Sequence, residues 1–147
     1  MAFKFSEEVR RQQCVVGSLK SILDGGVIRL YSGDVPASAD SALVAGNVVL
    51  CEITNAGAGL TFESTASAAT LTKSLSEIWQ GSNVATGTVT FFRFLKPSDS
   101  NGANSSEVRL QGTVGGPAAD LTISNAALIT GAPNRLEYFA ISMLESA

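Results

Sequence analysis

From Val27 onward the chain stops repeating every three to four residues and starts repeating every two, and this change restricts the fold more than any other feature. Val27-Ile28-Arg29-Leu30-Tyr31 reads as a strand closed by Ser32-Gly33. Residues 48–54 read as the next strand, and 60–65 as another after the turn Asn55-Ala56-Gly57-Ala58-Gly59. Residues 66–74 read as irregular strand or loop, 75–80 as a short strand, and Gly81-Ser82-Asn83 as a turn. Residues 87–95 form the clearest strand. Thr88, Thr90, Phe92 and Phe94 share one of its faces, and Val89, Phe91, Arg93 and Leu95 the other. Large apolar groups on both faces predict a central, largely buried strand. A polar loop over 96–105 is of hairpin type, and 107–114 return as a strand with Val108 and Leu110 on one face. Gly115-Gly116-Pro117 turns the chain, 121–124 and 127–130 are short β segments, and Gly131-Ala132-Pro133-Asn134 turns it again. Over 135–144, Leu136, Tyr138 and Ala140 alternate with Phe139, Ile141 and Met143. About eight or nine short strands parted by Gly, Pro and Asn turns predict a mainly β fold. The expected form is an antiparallel β-sandwich, jelly-roll-like, and not a set of βαβ units.

Residues 6–23 are the one strong helical pattern. Ser6 caps it, and Glu7 and Glu8 fall in the first turn, where the helix dipole favours them. Val9, Val16, Leu19 and Leu23 recur on one face, with Val15 and Ile22 beside them. Gly17 weakens the middle by about 1 kcal/mol against Ala, and Asp24-Gly25-Gly26 ends the helix. The stripe is expected to pack on this chain's own sheet, with a partner's groove as the alternative. The 147 residues make a single domain, 1–147. A compact chain of this size buries about 68–70% of its unfolded surface, enough for a core without disulfide or metal. Cys14 and Cys51 lie in apolar runs and read as buried free thiols, a disulfide being the alternative.

The sequence offers little to catalysis. It has no His, which removes Ser-His-Asp and Cys-His arrangements, most zinc sites and the usual general base near neutral pH. No nucleophile elbow, Walker loop or dinucleotide fingerprint occurs. A carboxylate pair from Glu52, Glu63 and Glu77, on expected strands, is the best enzymatic alternative. The expectation is no enzyme and no cofactor. A glycan-binding β-sandwich module is a rival of another class, with Trp79, Tyr31 and Tyr138 as candidate platforms. Asp99, Asn101 and Asp120 could offer oxygens to calcium, but in no EF-hand order.

Charged residues are 16% of the chain, against a usual ~25%, and Ala, Ser, Thr, Gly and Asn take their place. Such a surface suits packing against other protein. The net charge is −3, and only Lys4, Arg10, Arg11 and Lys20 gather, with Glu7 and Glu8 among them. That pattern argues against nucleic acid as a direct partner. No apolar run reaches the length of a membrane span, and the first residues have no apolar signal core. The protein is expected to act where it is made or in an assembly built there.

Val27-Ile28-Arg29-Leu30-Tyr31-Ser32-Gly33-Asp34-Val35-Pro36-Ala37-Ser38-Ala39-Asp40-Ser41-Ala42-Leu43 resembles a group of small structural proteins of tailed bacteriophages. That group shows a strand ending in Tyr-Ser/Thr-Gly, then a Pro-Ala-x-Ala-Asp loop and Ala-Leu. Gly87-Thr88-Val89-Thr90-Phe91-Phe92-Arg93 is similar to its Gly-x-Ala-x-Trp-Phe-Arg strand, with Phe91 in place of the Trp. Gln111-Gly112-Thr113-Val114-Gly115 and Asp120-Leu121-Thr122-Ile123 resemble its later turn and strand. The similarity spans residues 27–141 and brings no catalytic site with it. It implies a virion component assembled in the host cytoplasm. The leading expectation is a capsid decoration or cement protein that braces neighbouring major capsid subunits, in repeated copies or as a homo-oligomer. A neck, tail or baseplate component is the alternative. Candidate contacts are Lys4, Arg10 and Arg11 on the helix side, Pro36 and Asp40 in one loop, and Lys96, Asp99 and Asn101 in another.

Overall fold

The computed structural model describes residues 3–64, 69–115, 121–123 and 125–142. Residues 65–68, the Gly116-Pro117 turn, Asp120, Ser124, and Met143 and Leu144 of the last alternating run lie outside the described residues.

The expected antiparallel β-sandwich is found. Its main sheet contains β1 (Lys4–Phe5), β2 (Val27–Ser32), β3 (Val48–Asn55), β5 (Trp79–Ser82), β7 (Phe91–Leu95), β8 (Arg109–Gly115) and β11 (Pro133–Leu136), in the order β1-β8-β7-β2-β3-β5-β11. The short β9 (Leu121–Thr122) adds to β8 in parallel. Two further ladders, β6 (Gly87–Thr88) with β10 (Ala127–Leu128) and β4 (Thr70–Thr72) with β12 (Ala140–Ser142), lie off this sheet.

Register sorts the central side chains into two layers. Ile28 pairs with Phe94 and Leu30 with Phe92, while Phe94 also faces Leu110. This face joins Phe62, Trp79, Phe139 and Ile141 in one apolar core. Phe92 meets Phe139 edge-on at 5.8 Å, and Phe62 meets Trp79 edge-on at 5.5 Å, the geometry that aromatic quadrupoles favour. The other face carries Arg29, Arg93 and Gln111 in one row across the strands, flanked by Tyr31 stacked on Phe91. All five residues of β7 are buried, so the central strand is covered on both sides as its composition predicts.

Several elements differ from the sequence reading. The helix over 6–23 is two helices, α1 (Glu7–Val15) and α2 (Leu19–Leu23). Ser6 and Ser18 each cap one of them, accepting from Val9 N–H and Ser21 N–H. The break falls at Gly17, the weakest helix former of the run. It turns Val15 and Val16 to solvent, whereas Val9, Ile22 and Leu23 enter the core. The stripe thus packs on the chain's own sheet, but without Val15 and Val16. Of the run read as a strand over 60–65, the described residues 60–64 make bridges at Leu60 and Phe62 instead of a strand. The run 87–95 splits into β6 and β7, because Val89 N–H goes to Ala126 O and Thr90 N–H to Tyr31 O as the chain crosses between ladders. The run 135–144 divides likewise into β11 and β12, leaving Tyr138 exposed and Phe139 buried. Gly81, read as a turn, sits inside β5, where a Cβ would collide with the Glu52 carbonyl. Both cysteines are free, but Cys14 is exposed and only Cys51 is buried. No helix among the described residues is long and apolar enough to cross a membrane.

Candidate functional site

The densest concentration of chemistry lies on the polar face of the sheet, beneath two loops. Arg93 and Arg109, on adjacent strands, are both 0% exposed. A buried guanidinium is tolerated only when its donors are paired, and these are. Arg109 grips the Asp99 carboxylate with two bonds, Nε to Oδ2 at 2.6 Å and Nη2 to Oδ1 at 2.8 Å. Its other donors reach Ala39 O at 3.1 Å and Gly102 O at 2.7 Å. Arg93 donates to Gln111 Oε1 and Asn101 Oδ1, each at 2.9 Å, and to the carbonyls of Ser38 at 3.2 Å and Ser41 at 2.8 Å. Gln111 donates onward to Pro36 O at 2.9 Å, and Lys4 Nζ to Ala37 O at 3.0 Å. At the near edge, Arg29 pairs with Glu52 at 2.7 Å and donates to the carbonyls of Pro97 and Asp99. Arg29 and Arg93 stand directly opposite in register. Glu52 on one side and Gln111 on the other offset the repulsion such a pair brings.

The electrostatics follow from this packing. Burial, with the neighbouring Arg109 charge, brings Arg93 down to about 10, still charged at neutral pH. Burial alone would raise the Asp99 carboxyl, but the bonds from Arg109 and the Asn101 N–H and the two guanidinium charges outweigh it and hold it low. Burial raises the Tyr31 hydroxyl, which accepts from Asn101 Nδ2. Asn101 adopts a left-handed backbone, φ 66°, a conformation Asn tolerates and this network fixes.

The arginines hold the 34–43 loop by its backbone carbonyls, and the 96–105 loop by the carbonyls of Pro97, Asp99 and Gly102 together with the Asp99 and Asn101 side chains. The two loops are therefore fixed in shape from the sheet beneath them. This arrangement binds chain to chain within the molecule, and each guanidinium nitrogen named above is already engaged.

Of the sequence-predicted contacts, Lys4, Arg10 and Arg11 are exposed. Pro36, Asp99 and Asn101 are buried, which removes them from the outer surface. A polar loop reads as exposed, yet here its acid and amide turn inward to meet the arginines. Asp40 accepts the Glu7 N–H at the start of α1, and Lys96 reaches Asp24 O, so both are half-buried structural partners. Each of the three candidate carboxylates is engaged within the chain. Glu52 serves Arg29, Glu63 accepts Leu75 N–H, and Glu77 accepts from Thr61 and Trp79. Only Glu52 lies on a strand. Among the glycan platforms, Trp79 and Tyr31 are 0% exposed and Tyr138 alone is open. Among the described residues, no group of three metal-ligating side chains comes together. Sequence reading missed Arg29, Arg109 and Gln111. Arg93 carried a usable signal, a charge inside Phe91-Phe92-Arg93-Phe94-Leu95, which must be buried and paired if the strand is central. The chain matches no protein-family model, no curated protein and no solved structure.

Proposed function

We propose that the chain is a non-enzymatic structural protein of a tailed-phage particle, and within it a capsid decoration protein bracing neighbouring major capsid subunits. The observation that supports this most is the loop over 34–43, the segment that carries the strongest resemblance. Five of its carbonyls, those of Pro36, Ala37, Ser38, Ala39 and Ser41, are held from the sheet. A bracing protein needs a contact surface of fixed shape, because ordering a loose loop on binding costs free energy. Lys4, Arg10 and Arg11 are exposed, Lys4 bonded to Ala37 O and Arg11 to Glu8, and their charges suit an acidic patch on a neighbouring subunit.

Mixing the purified chain with phage capsids that lack it, followed by sedimentation and particle imaging, tests this. The expected result is binding across the capsid surface in a copy number that follows the capsid subunits. Binding confined to a vertex or to tails would move the protein to the neck or tail, and no binding to either would end the virion reading.

A further inference from the structure

Asn101 is followed by Gly102, and no other asparagine of the chain precedes a glycine. An Asn-Gly pair carries a reaction of its own. The Gly amide nitrogen attacks the Asn side-chain carbon, since glycine has no side chain to obstruct the approach. A bond forms between Gly102 N and Asn101 Cγ, the Cγ–Nδ2 bond breaks, and Nδ2 leaves as ammonia, taking up the proton that Gly102 N gives up. Water then hydrolyses one or other C–N bond of the succinimide and leaves Asp or isoAsp at the position. No cofactor or second protein takes part.

The fold restrains both partners of that new bond. Arg93 Nη1 donates to Asn101 Oδ1 at 2.9 Å, and Asn101 Nδ2 donates to the Tyr31 hydroxyl. Arg93 can only donate, so the amide is fixed in one orientation with both ends occupied. Asn101 N–H donates to Asp99 Oδ1 at 2.8 Å, and Arg109 Nη2 donates to Gly102 O at 2.7 Å. Asn101 and the four side chains that hold this pair are buried. Ring closure takes Gly102 N and Cγ from non-bonded contact to a bond of about 1.4 Å. A movement of that size strains or breaks the bonds at Oδ1, Nδ2 and Gly102 O, whose geometry tolerates little displacement. Gly102 and residues 103–106 are exposed, so the restraint lies in these hydrogen bonds and not in exclusion of water from the loop.

We propose that Asn101-Gly102 is a site of spontaneous main-chain modification, held unreactive in the folded chain by Arg93, Tyr31 and Arg109 and released when the 96–105 loop opens. Hydrolysis does not restore the amide. Each opening that ends in cyclisation is therefore permanent, and modification at Asn101 records how often this loop has left the sheet. Nothing in this depends on the virion assignment.

The full chain is incubated in mildly alkaline buffer, folded and in urea, and the peptide containing Asn101-Gly102 is followed by mass spectrometry with isoAsp detection. Folded wild type is expected to convert more slowly than the unfolded chain by about tenfold or more, because a packed loop must open first. Tyr31→Phe keeps a ring to stack on Phe91 but removes the acceptor of Asn101 Nδ2. Oδ1 stays on Arg93, a donor that stabilises the oxyanion of the attack. The folded variant should thus convert several times faster than folded wild type. Ser18→Ala weakens the fold at α2 instead and should leave the Asn101 rate at the wild-type value. Folded wild type that converts as fast as the unfolded chain overturns the proposal. So does a Tyr31→Phe rate no higher than wild type, or an equal acceleration by Ser18→Ala, which would trace the reaction to global unfolding. If Tyr31→Phe does not fold, the comparison of folded and unfolded wild type decides.

Discussion

Arg93 sits between Phe92 and Phe94, and its strand is central because its neighbours on both sides of the chain are apolar. The charge is accommodated by Asn101, Gln111 and two loop carbonyls, and Asp99 is the acid shared beneath it. Removing that acid leaves Arg109 buried and unpaired. Asp99→Ala is therefore expected to lose about 3–5 kcal/mol, the range for breaking a buried ion pair, measured by urea denaturation. A loss no larger than that of a surface substitution would show that Arg109 finds another partner. On the opposite face Phe92 is fully buried between Phe3 and Phe139. Phe92→Ala should cost about 3–5 kcal/mol through lost burial and the cavity left behind, and an unchanged melting temperature would contradict its place in the core.

The helices and β1 act as part of the fold, not as an arm. β1 pairs with β8, Ser6 exchanges bonds with the backbone of Arg109, and Val9, Ile22 and Leu23 lie in the core. A chain starting at residue 25 should unfold or aggregate, visible as loss of the folded circular dichroism signal. A folded, monodisperse product would mean that the strap is dispensable. Ser18 caps the shorter helix, so Ser18→Ala should cost about 1 kcal/mol, within the range for lost N-caps. Arg10 and Arg11 point outward, Arg11 paired with Glu8, whose carboxyl the hydrogen bond from Arg11 holds down at about 2. Reversing both arginines to Glu should leave the unfolding midpoint essentially in place, because exposed pairs contribute little. The same variant should bind capsids more weakly, most clearly at low salt. Unchanged binding at every salt concentration would take the basic face out of the contact.

At the scale of the molecule, the acids held by hydrogen bonds set the response to pH. The Asp99 carboxyl is lower in the folded state than its ordinary value near 3.9. Glu77 is lowered too: burial opposes this, and bonds from Thr61 and Trp79 outweigh burial. A carboxyl depressed by folding adds stability above its unfolded value, and that stability is lost as pH falls through the folded value. Unfolding free energy should thus be level near neutrality and fall below about pH 4. Asp99→Asn should flatten part of that acid slope in urea titrations from neutral pH downward. An unaltered slope would show that Asp99 is not depressed by its partners.

The period-two pattern, the turn residues and the doubly apolar strand at 91–95 were enough to determine a mainly β, antiparallel sandwich, because alternation and positive-φ residues are local properties of the chain. The cap at Ser6 and the helix stop near Asp24 were legible for the same reason. Where a strand ends within a continuous apolar run was not. Val89–Thr90 and Glu137–Phe139 are crossings between ladders, decided by which distant backbone supplies the next hydrogen bond. The same limit hid the second helix, whose start depends on Ser18 turning its side chain to Ser21 N–H. It also misplaced Asp99 and Asn101, which look like loop-tip residues until the register of β7 and β8 brings Arg93 and Arg109 beneath them. A side chain's need for a partner can be read from sequence. Which partner meets it, and therefore which polar loop is buried, is settled only when strands far apart in the chain pair in one register.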